Sequence, residues 1–125
     1  MLTLQFLPQA LTVCKLDSLD GFDTSGGLYF IGRTDEELSL VCETARAPRA
    51  TLARRDGWRA FRIAGTLDFS LTGILAPIAT LLARAGIGIF AVSTYNTDYV
   101  LLNDQDLRRA AEVLEGAGYA VNFPA

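Results

Sequence analysis

The feature that most constrains this chain is a helical apolar pattern followed at once by two short apolar strands. In residues 71–85 the apolar side chains recur every three or four positions, which is typical of a helix with one buried face. Ser70 is a suitable N-cap, and Gly86 stands where a left-handed C-terminal residue is needed. Residues 87–92 and 99–102 then have the composition of strands. We therefore expect one helix face buried against a sheet.

The N-terminal half has the patterns of short strands separated by polar turns. Strand-like segments occupy residues 11–16, 28–33 and 38–42. A polar stretch with three aspartates and three glycines, residues 17–27, is predicted to be a loop. Asp56-Gly57 is a strong turn signal, so we expect a β-hairpin that joins residues 51–55 to residues 58–63.

The last part of the chain predicts a second helix and a final strand. Asp104 is a candidate N-cap, and Gly116 or Gly118 is the expected end of the helix. The apolar positions of this helix are Leu107, Ala110, Ala111 and Leu114. From Trp58 onward the order of elements is therefore β, α, β, β, α, β. That order predicts an α+β fold, a ferredoxin-like sandwich with an antiparallel four-stranded sheet and both helices on one face.

A short internal repeat links the two halves of the sequence. Residues 30–34 (FIGRT) align with residues 90–94 (FAVST), 60 positions later, and each segment precedes a polar turn and an apolar strand. The first half is too short for a long helix, and the loop at residues 17–27 stands in its place. We therefore predict a truncated repeat in residues 1–57 and a complete ferredoxin-like domain in residues 58–125.

Composition narrows the classes of function. The 125 residues, half of them hydrophobic, suffice for one compact domain or two very small ones. A formal net charge of −3 argues against nucleic acid as the main partner. We expect no membrane segment, because the apolar runs are far shorter than about 18 residues, and no signal peptide, because the N-terminus lacks a basic lead. Cys14 and Cys42 form no CxxC pair, which favours buried free thiols over a disulfide, and a cytoplasmic location.

The ionisable residues give little support for catalysis. The chain has no histidine, which removes the commonest general base and metal ligand. We therefore expect no enzyme activity, no cofactor and no metal site. Basic residues gather in one region, at Arg46, Arg49, Arg54, Arg55, Arg59 and Arg62. A phosphate-binding patch is one interpretation, and the solvated face of a sheet is the favoured one.

Three segments of the C-terminal half resemble the ACT domain family. They are Leu71–Ala76 (LTGILA), Leu81–Ile87 (LLARAGI) and Ser93–Leu101 (STYNTDYVL). These segments resemble the ACT domains of aspartate kinase regulatory regions, and still more the small stand-alone bacterial ACT proteins and the CASTOR arginine sensors. The resemblance is strong over residues 61–123 and weaker in the N-terminal half. It implies a ferredoxin-like fold, amino-acid binding at a domain interface and side-by-side pairing of domains.

The candidate ligand site combines the start of the first helix with the turn between the two strands after it. Free N–H groups at a helix start suit a carboxylate, Gly73 permits close approach, and Pro77, which has no N–H, is expected to leave the Gly73 carbonyl unbonded. Asp98 in the turn is suited to an ammonium or guanidinium group. The candidate ligand-binding residues are Asp68, Phe69, Ser70, Leu71, Thr72, Gly73, Ile74, Ser93, Thr94, Asn96 and Asp98.

Ordinary structural roles remain open for both parts of this site. The first is also consistent with a capped helix that tolerates an early proline, and the second with turn chemistry, since Asn and Asp favour hairpin connections. Our functional hypothesis is a regulatory or sensor protein that binds an amino acid and forms a homodimer or higher homo-oligomer. The alternative is an assembly module of the same fold that binds no ligand.

Overall fold

The computed structural model describes residues 2–65 and 73–124. Contacts divide the chain into two compact units. Residues 1–8 and 59–125 form one of them, which we call the helical unit, and Gln9–Trp58 form the other, which we call the strand unit. The assignment of residues 1–57 and 58–125 to two successive ACT-type repeats stays a prediction.

The helical unit contains a mixed sheet. Its strands are β1 (Thr3–Phe6), the second part of β5 (Ala53–Ile63), β6 (Ile89–Ser93), β7 (Asp98–Asn103) and β8 (Ala120–Asn122). The order across the sheet is β6-β7-β5-β1-β8, with β1 antiparallel to β5 and parallel to β8. The α+β ferredoxin-like class is confirmed, but β1 lies between the two strands that we expected to be neighbours. Leu4 and Phe6 of β1 are almost fully buried, so this strand completes the core.

Two helices cover one face of this sheet, α1 (Leu75–Arg84) and α2 (Leu107–Gly116). Ile78 and Leu82 of α1 are fully buried in the core, as the periodicity predicted. Both helices end in a Schellman motif, and in α1 the N–H of Ile87 donates to the Leu82 carbonyl at 2.9 Å. The motif requires a left-handed residue, supplied by Gly86 (φ +73°) in α1 and by Gly118 (φ +101°) in α2.

The start of α1 differs from the prediction. The helix begins at Leu75, after a bend in which Gly73 has φ +70°, a value that no α-helix accepts. A continuous helix from residue 71 is therefore wrong, and the predicted cap Ser70 lies outside the described residues. Pro77 is the third residue of α1, where its missing N–H removes no helical bond. Gly73 precedes the helix, so its carbonyl lies outside the helical hydrogen bonds whichever residue stands at position 77, and its contact with a ligand stays a prediction.

The strand unit has the ferredoxin-like strand order without its helices. It consists of β2 (Leu11–Leu16), β3 (Tyr29–Arg33), β4 (Leu38–Glu43) and the first part of β5, in the order β3-β4-β2-β5. All of Gln9–Trp58 is described, and this stretch contains a 3-10 turn at Thr44–Arg46 but no α-helix. Its core cluster includes Cys14 and Cys42, which are buried free thiols as expected.

The predicted hairpin at Asp56-Gly57 is wrong. The chain runs straight through these residues as one strand, and the pairing with β2 shifts register between Leu11 and Val13. Such a shift marks a β-bulge, and Gly57 supplies its positive φ of +85°. The Asp56 carboxylate is held at the bulge by the buried Thr12 hydroxyl, 2.7 Å from its Oδ1. The Asp56-Gly57 pair therefore forms a β-bulge here and does not reverse the chain.

The two units confirm the repeat of the strand–turn–strand segment. Ile31 pairs with Leu40 in one hairpin, and Ala91 pairs with Val100 in the other. Each residue of the second pair lies 60 positions after the corresponding residue of the first. The turns are also alike: Thr34 N–H donates to the Glu37 carbonyl at 2.9 Å, and the N–H of Thr94 donates to the Thr97 carbonyl at 2.9 Å. A 3-10 turn follows each hairpin.

Candidate functional site

The turn between β6 and β7 is fixed by hydrogen bonds on both sides. Within the turn, the Thr94 hydroxyl donates to the Thr97 carbonyl at 2.9 Å. The hydroxyl of Thr97 is buried and donates to the Ile63 carbonyl at 2.7 Å. Ile63 is the last residue of β5, which leads into residues 66–72. The turn is thereby tied to the strand end that precedes the predicted ligand loop.

Asp98 presents its carboxylate at the end of the helix-packed face of the sheet. Side chains alternate along a strand, and Val100 and Leu102 of β7 lie in the core against the helices, so Asp98 shares their face. The Ser93 hydroxyl, on the paired strand, donates to Asp98 Oδ1 at 2.5 Å. Among the described residues, no basic side chain forms an ion pair with Asp98. A half-buried carboxylate with one hydroxyl donor retains acceptor capacity for a cation.

The N-terminus of α1 has donors for an anion. The N–H groups of residues 74–76 have no partner within the helix, and Pro77 has no N–H at all. No acidic residue lies in the first turn, so the partial positive charge of this helix end meets no opposing carboxylate there. The predicted residues Gly73 and Ile74 lie directly at this end, Gly73 exposed and Ile74 half-buried.

The structure therefore brings together part of the predicted site. Ser93, Thr94, Asn96 and Asp98 lie in one hairpin, at the β6–β7 turn and the ends of its strands. The remaining predicted residues, Asp68, Phe69, Ser70, Leu71 and Thr72, lie outside the described residues. Their role as ligand contacts stays a prediction.

The arginine-rich region is not a single positive patch. Arg46 forms an ion pair with Asp23 at 3.5 Å, as does Arg54 with Asp56 at 2.9 Å. Arg59, in the helical unit, lies 3.4 Å from Asp104. Asp104 thus begins a 3-10 turn before α2 and pairs with Arg59, rather than capping the helix with its side chain as predicted. Pairing with acids favours the interpretation of a solvated sheet face over phosphate binding.

Sequence reasoning missed a second polar cluster in the helical unit, around Arg62. Arg62 Nε donates to Gln5 Oε1 at 2.9 Å, and its Nη1 donates to the Tyr99 hydroxyl at 3.1 Å. The available signal was the alternation in β5, where Arg62 stands between the core residues Phe61 and Ile63 and so must point to the opposite face.

The two cysteine thiols are buried in the core of the strand unit. Burial raises the pKa of the Cys14 thiol, and burial raises that of Cys42 to about 11, so both thiols are protonated at neutral pH. The described part of the chain contains no group of three or more residues suited to a metal ion. Nor does any helix in residues 2–65 or 73–124 have the length and apolar character needed to span a membrane.

The fold is that of an α+β protein of ferredoxin-like architecture in which a strand–turn–strand hairpin occurs twice. The sequence profile of the ACT domain matches residues 53–116, just over half of the chain. The chain therefore belongs to the ACT domain family.

Three proteins illustrate what this chain is similar to in fold or in sequence. Protein Atu0741 from Agrobacterium tumefaciens is 32% identical and superposes with a TM-score of 0.86, over 99% of this chain and 94% of that one. The regulatory subunit of aspartate kinase from Thermus thermophilus superposes with a TM-score of 0.65 at 11% identity, over 92% of this chain and 96% of that one. Human cytosolic arginine sensor for mTORC1 subunit 1 is 41% identical over 59 residues, which are 46% of this chain and 18% of the sensor.

Proposed function

We propose that this protein is a regulatory or sensor protein that binds an amino acid. The observation that carries the proposal is the Asp98 carboxylate, held by Ser93 at 2.5 Å and given no basic partner by the described residues. A carboxylate in this state is suited to an ammonium or guanidinium group, through a charge-assisted hydrogen bond.

The other end of the ligand is assigned to the segment before α1. The amino acid's carboxylate is proposed to accept hydrogen bonds from backbone N–H groups of residues 71–74, near the positive end of the helix, with Asp68 assisting Asp98 at the ammonium end. The Thr97–Ile63 hydrogen bond of 2.7 Å supports this arrangement, because it holds the Asp98 turn beside the strand that enters this segment. One end then offers N–H donors and the other a carboxylate, which matches the polarity of a zwitterion.

The names of the relatives support the class of ligand. One is an arginine sensor, and another is the regulatory subunit of an enzyme that acts on aspartate. Because this chain spans less than a fifth of the arginine sensor, the activity of that protein is carried over here only as a proposal. Arginine is accordingly the first ligand to test. The buried free thiols favour a reducing cytoplasm as its location, and regulation rather than catalysis is proposed.

Thermal shift with each of the twenty amino acids tests the proposal. A specific ligand stabilises the folded chain by about 2.7 kcal/mol at ~100 times its Kd. Asp98→Asn should weaken the binding of that ligand about ten- to a hundredfold in calorimetry, because it removes a charged partner. Asp35→Asn, at the exposed turn of the other hairpin, is the matched control and should leave affinity unchanged. Equal affinity in wild type and Asp98→Asn would refute the assignment of the ammonium group.

A ligand-free assembly module is the second candidate function. It is favoured by an open groove of about 710 Å³ beside α1. The groove is lined mainly by apolar or small residues, including Leu2, Ala76, Pro77, Leu81 and Tyr119. Self-association through this surface predicts a dimeric or larger mass by light scattering at ~100 μM, and a monomeric mass for Ala76→Arg. If no amino acid binds at millimolar concentration while the chain still self-associates, the assembly function replaces the sensor function.

A further inference from the structure

The guanidinium of Arg62 is held in a fixed orientation on the face of the sheet opposite the helices. Its Nε donates to Gln5 Oε1 at 2.9 Å, and its Nη1 donates to the Tyr99 hydroxyl at 3.1 Å. Its central carbon lies 5.9 Å from the centre of the Tyr99 ring. Gln5 is the direct cross-strand neighbour of Arg62 in the β1–β5 pairing. Two neighbouring strands thus orient one planar cation.

This cation has no acidic partner among the described residues. Arg46, Arg54 and Arg59 each form an ion pair, whereas no described carboxylate lies within 4.0 Å of the Arg62 guanidinium nitrogens. Its two hydrogen bonds use Nε and Nη1, so the Nη2 hydrogens are given no acceptor by the described part of the protein. In a chain of net charge −3, an ordered and half-buried guanidinium that pairs with no carboxylate of residues 2–65 or 73–124 is suited to an external anion.

The space beside Arg62 is a polar pocket of about 290 Å³. It is lined by Gln5, Arg62, Gly65, Asn96, Thr97 and Tyr99, none of which is acidic. Because Gln5 Oε1 accepts from Arg62, the amide nitrogen of Gln5 keeps both of its donor hydrogens. Asn96 is exposed and adds a second side-chain amide at the same pocket. The described lining residues therefore offer one cation and several neutral donors.

We propose that this pocket, the Arg62 pocket, binds the carboxylate group of a small metabolite. The single planar guanidinium matches a planar monoanion in a two-pronged contact, while one cation among neutral amides gives less compensation to a phosphate dianion. The cation of this pocket lies on the other face of the sheet from Asp98 of the proposed amino-acid site, while Asn96, a candidate residue of that site, also lines this pocket. Asp98 and Tyr99 are consecutive in β7, so their side chains point to opposite faces of the sheet.

Titration of the ¹⁵N-labelled full-length chain with sodium succinate tests this proposal. The Arg62 Nε–Hε resonance, identified by its loss in Arg62→Gln, should shift in a saturable way, and neutral succinamide should leave it unchanged. Measured at the Asn96 backbone amide, the succinate affinity should fall about ten- to a hundredfold in Arg62→Gln. Arg108→Gln is the matched control, because Arg108 is exposed on α2 and loses the same charge; its affinity should equal that of the wild type.

Several results would overturn the proposal. Equal shifts with succinate and succinamide would show that no anion is recognised. If Arg62→Gln and Arg108→Gln lost succinate affinity equally, the effect would be one of net charge alone. Saturable shifts with sodium phosphate but not with succinate would overturn the carboxylate assignment. If Arg62→Gln fails to fold, Asn96→Ala decides, since its loss of one pocket donor should weaken succinate binding about two- to tenfold, and an unchanged affinity would refute the site.

Discussion

The Thr97 hydroxyl should contribute measurably to the stability of the helical unit, and Thr97→Val isolates that contribution. Thr97 is 7% exposed, and its hydroxyl donates to the Ile63 carbonyl at 2.7 Å. Valine keeps the branched shape of threonine but has a methyl group in place of the donor. The substitution therefore removes the donor of a buried hydrogen bond and leaves its acceptor, the Ile63 carbonyl, in place.

The expected cost follows from the loss of one partner of a buried pair. A carbonyl left without its donor in such a site costs about 1–3 kcal/mol. For a chain of 125 residues, 1 kcal/mol corresponds to a change in Tm of about 3–6 °C. We therefore expect Thr97→Val to lower the free energy of unfolding by about 1–3 kcal/mol and the Tm by at least 3 °C.

Urea unfolding followed by circular dichroism at 222 nm measures this effect in the relevant unit, because both α1 and α2 belong to the helical unit. Thr80→Val is the control: Thr80 is exposed on α1, so the same change should alter stability by less than about 0.5 kcal/mol. If Thr97→Val and Thr80→Val have the same stability, the Thr97–Ile63 bond does not hold the turn, and the geometric support for the amino-acid site is lost.

Four further substitutions test separate parts of the fold. Ile78→Asp should prevent folding of the helical unit, because it places an unpaired carboxylate in a fully buried position; circular dichroism measures the outcome. Gly116→Ala should raise Tm and Gly118→Ala should lower it, because both sites have open space for a methyl group but only Gly118 has a positive φ, +101°. If both substitutions changed Tm in the same direction, the assignment of Gly118 as the left-handed cap residue of α2 would be contradicted. Burial raises the Cys42 pKa from 9.0 to about 11, so the unfolded chain loses this proton first as pH rises. Stability should fall between pH 9 and 11, by less in Cys42→Ala, as measured by Trp58 fluorescence in urea.

The parts of the fold that could be predicted from the sequence are those that a local or repeated sequence pattern specifies. The spacing of Ile78 and Leu82 identified the buried face of α1 because a helix repeats that spacing whatever lies against it. Gly86 and Gly118 marked helix ends because few other residues accept a positive φ. The 60-residue offset was visible because the two hairpins share one register.

Features that depend on distant partners could not be read in this way. Asp56-Gly57 has the composition of a tight turn, and only the pairing with Leu11 and Val13 of β2 makes it a bulge in a continuous strand. The insertion of β1 likewise depends on pairing with β8, more than one hundred residues later in the chain. Local sequence specifies the conformations available to a segment, and long-range pairing selects among them.

The candidate site was predictable to a similar extent. Asp98 and Ser93 were identified by residue type in a turn, and their hydrogen bond of 2.5 Å follows from cross-strand pairing. Arg62 was identified only as one of several arginines. Its orientation depends on Gln5 and Tyr99, which come from two other strands and have no sequence proximity to it.

The repeat also determines how many amino-acid sites one chain should carry. Leu38 occupies the register position of Asp98 in the strand unit, where it pairs with Arg33 as Asp98 pairs with Ser93. Leu38 is 6% exposed and lies in the cluster with Cys14 and Cys42, so this position presents no carboxylate to a ligand. The strand unit also lacks a helix whose N-terminus would supply N–H donors, over the fully described stretch Gln9–Trp58. Calorimetry on a confirmed amino acid should therefore give about one site per chain, and two equal sites per chain would contradict the assignment of Asp98.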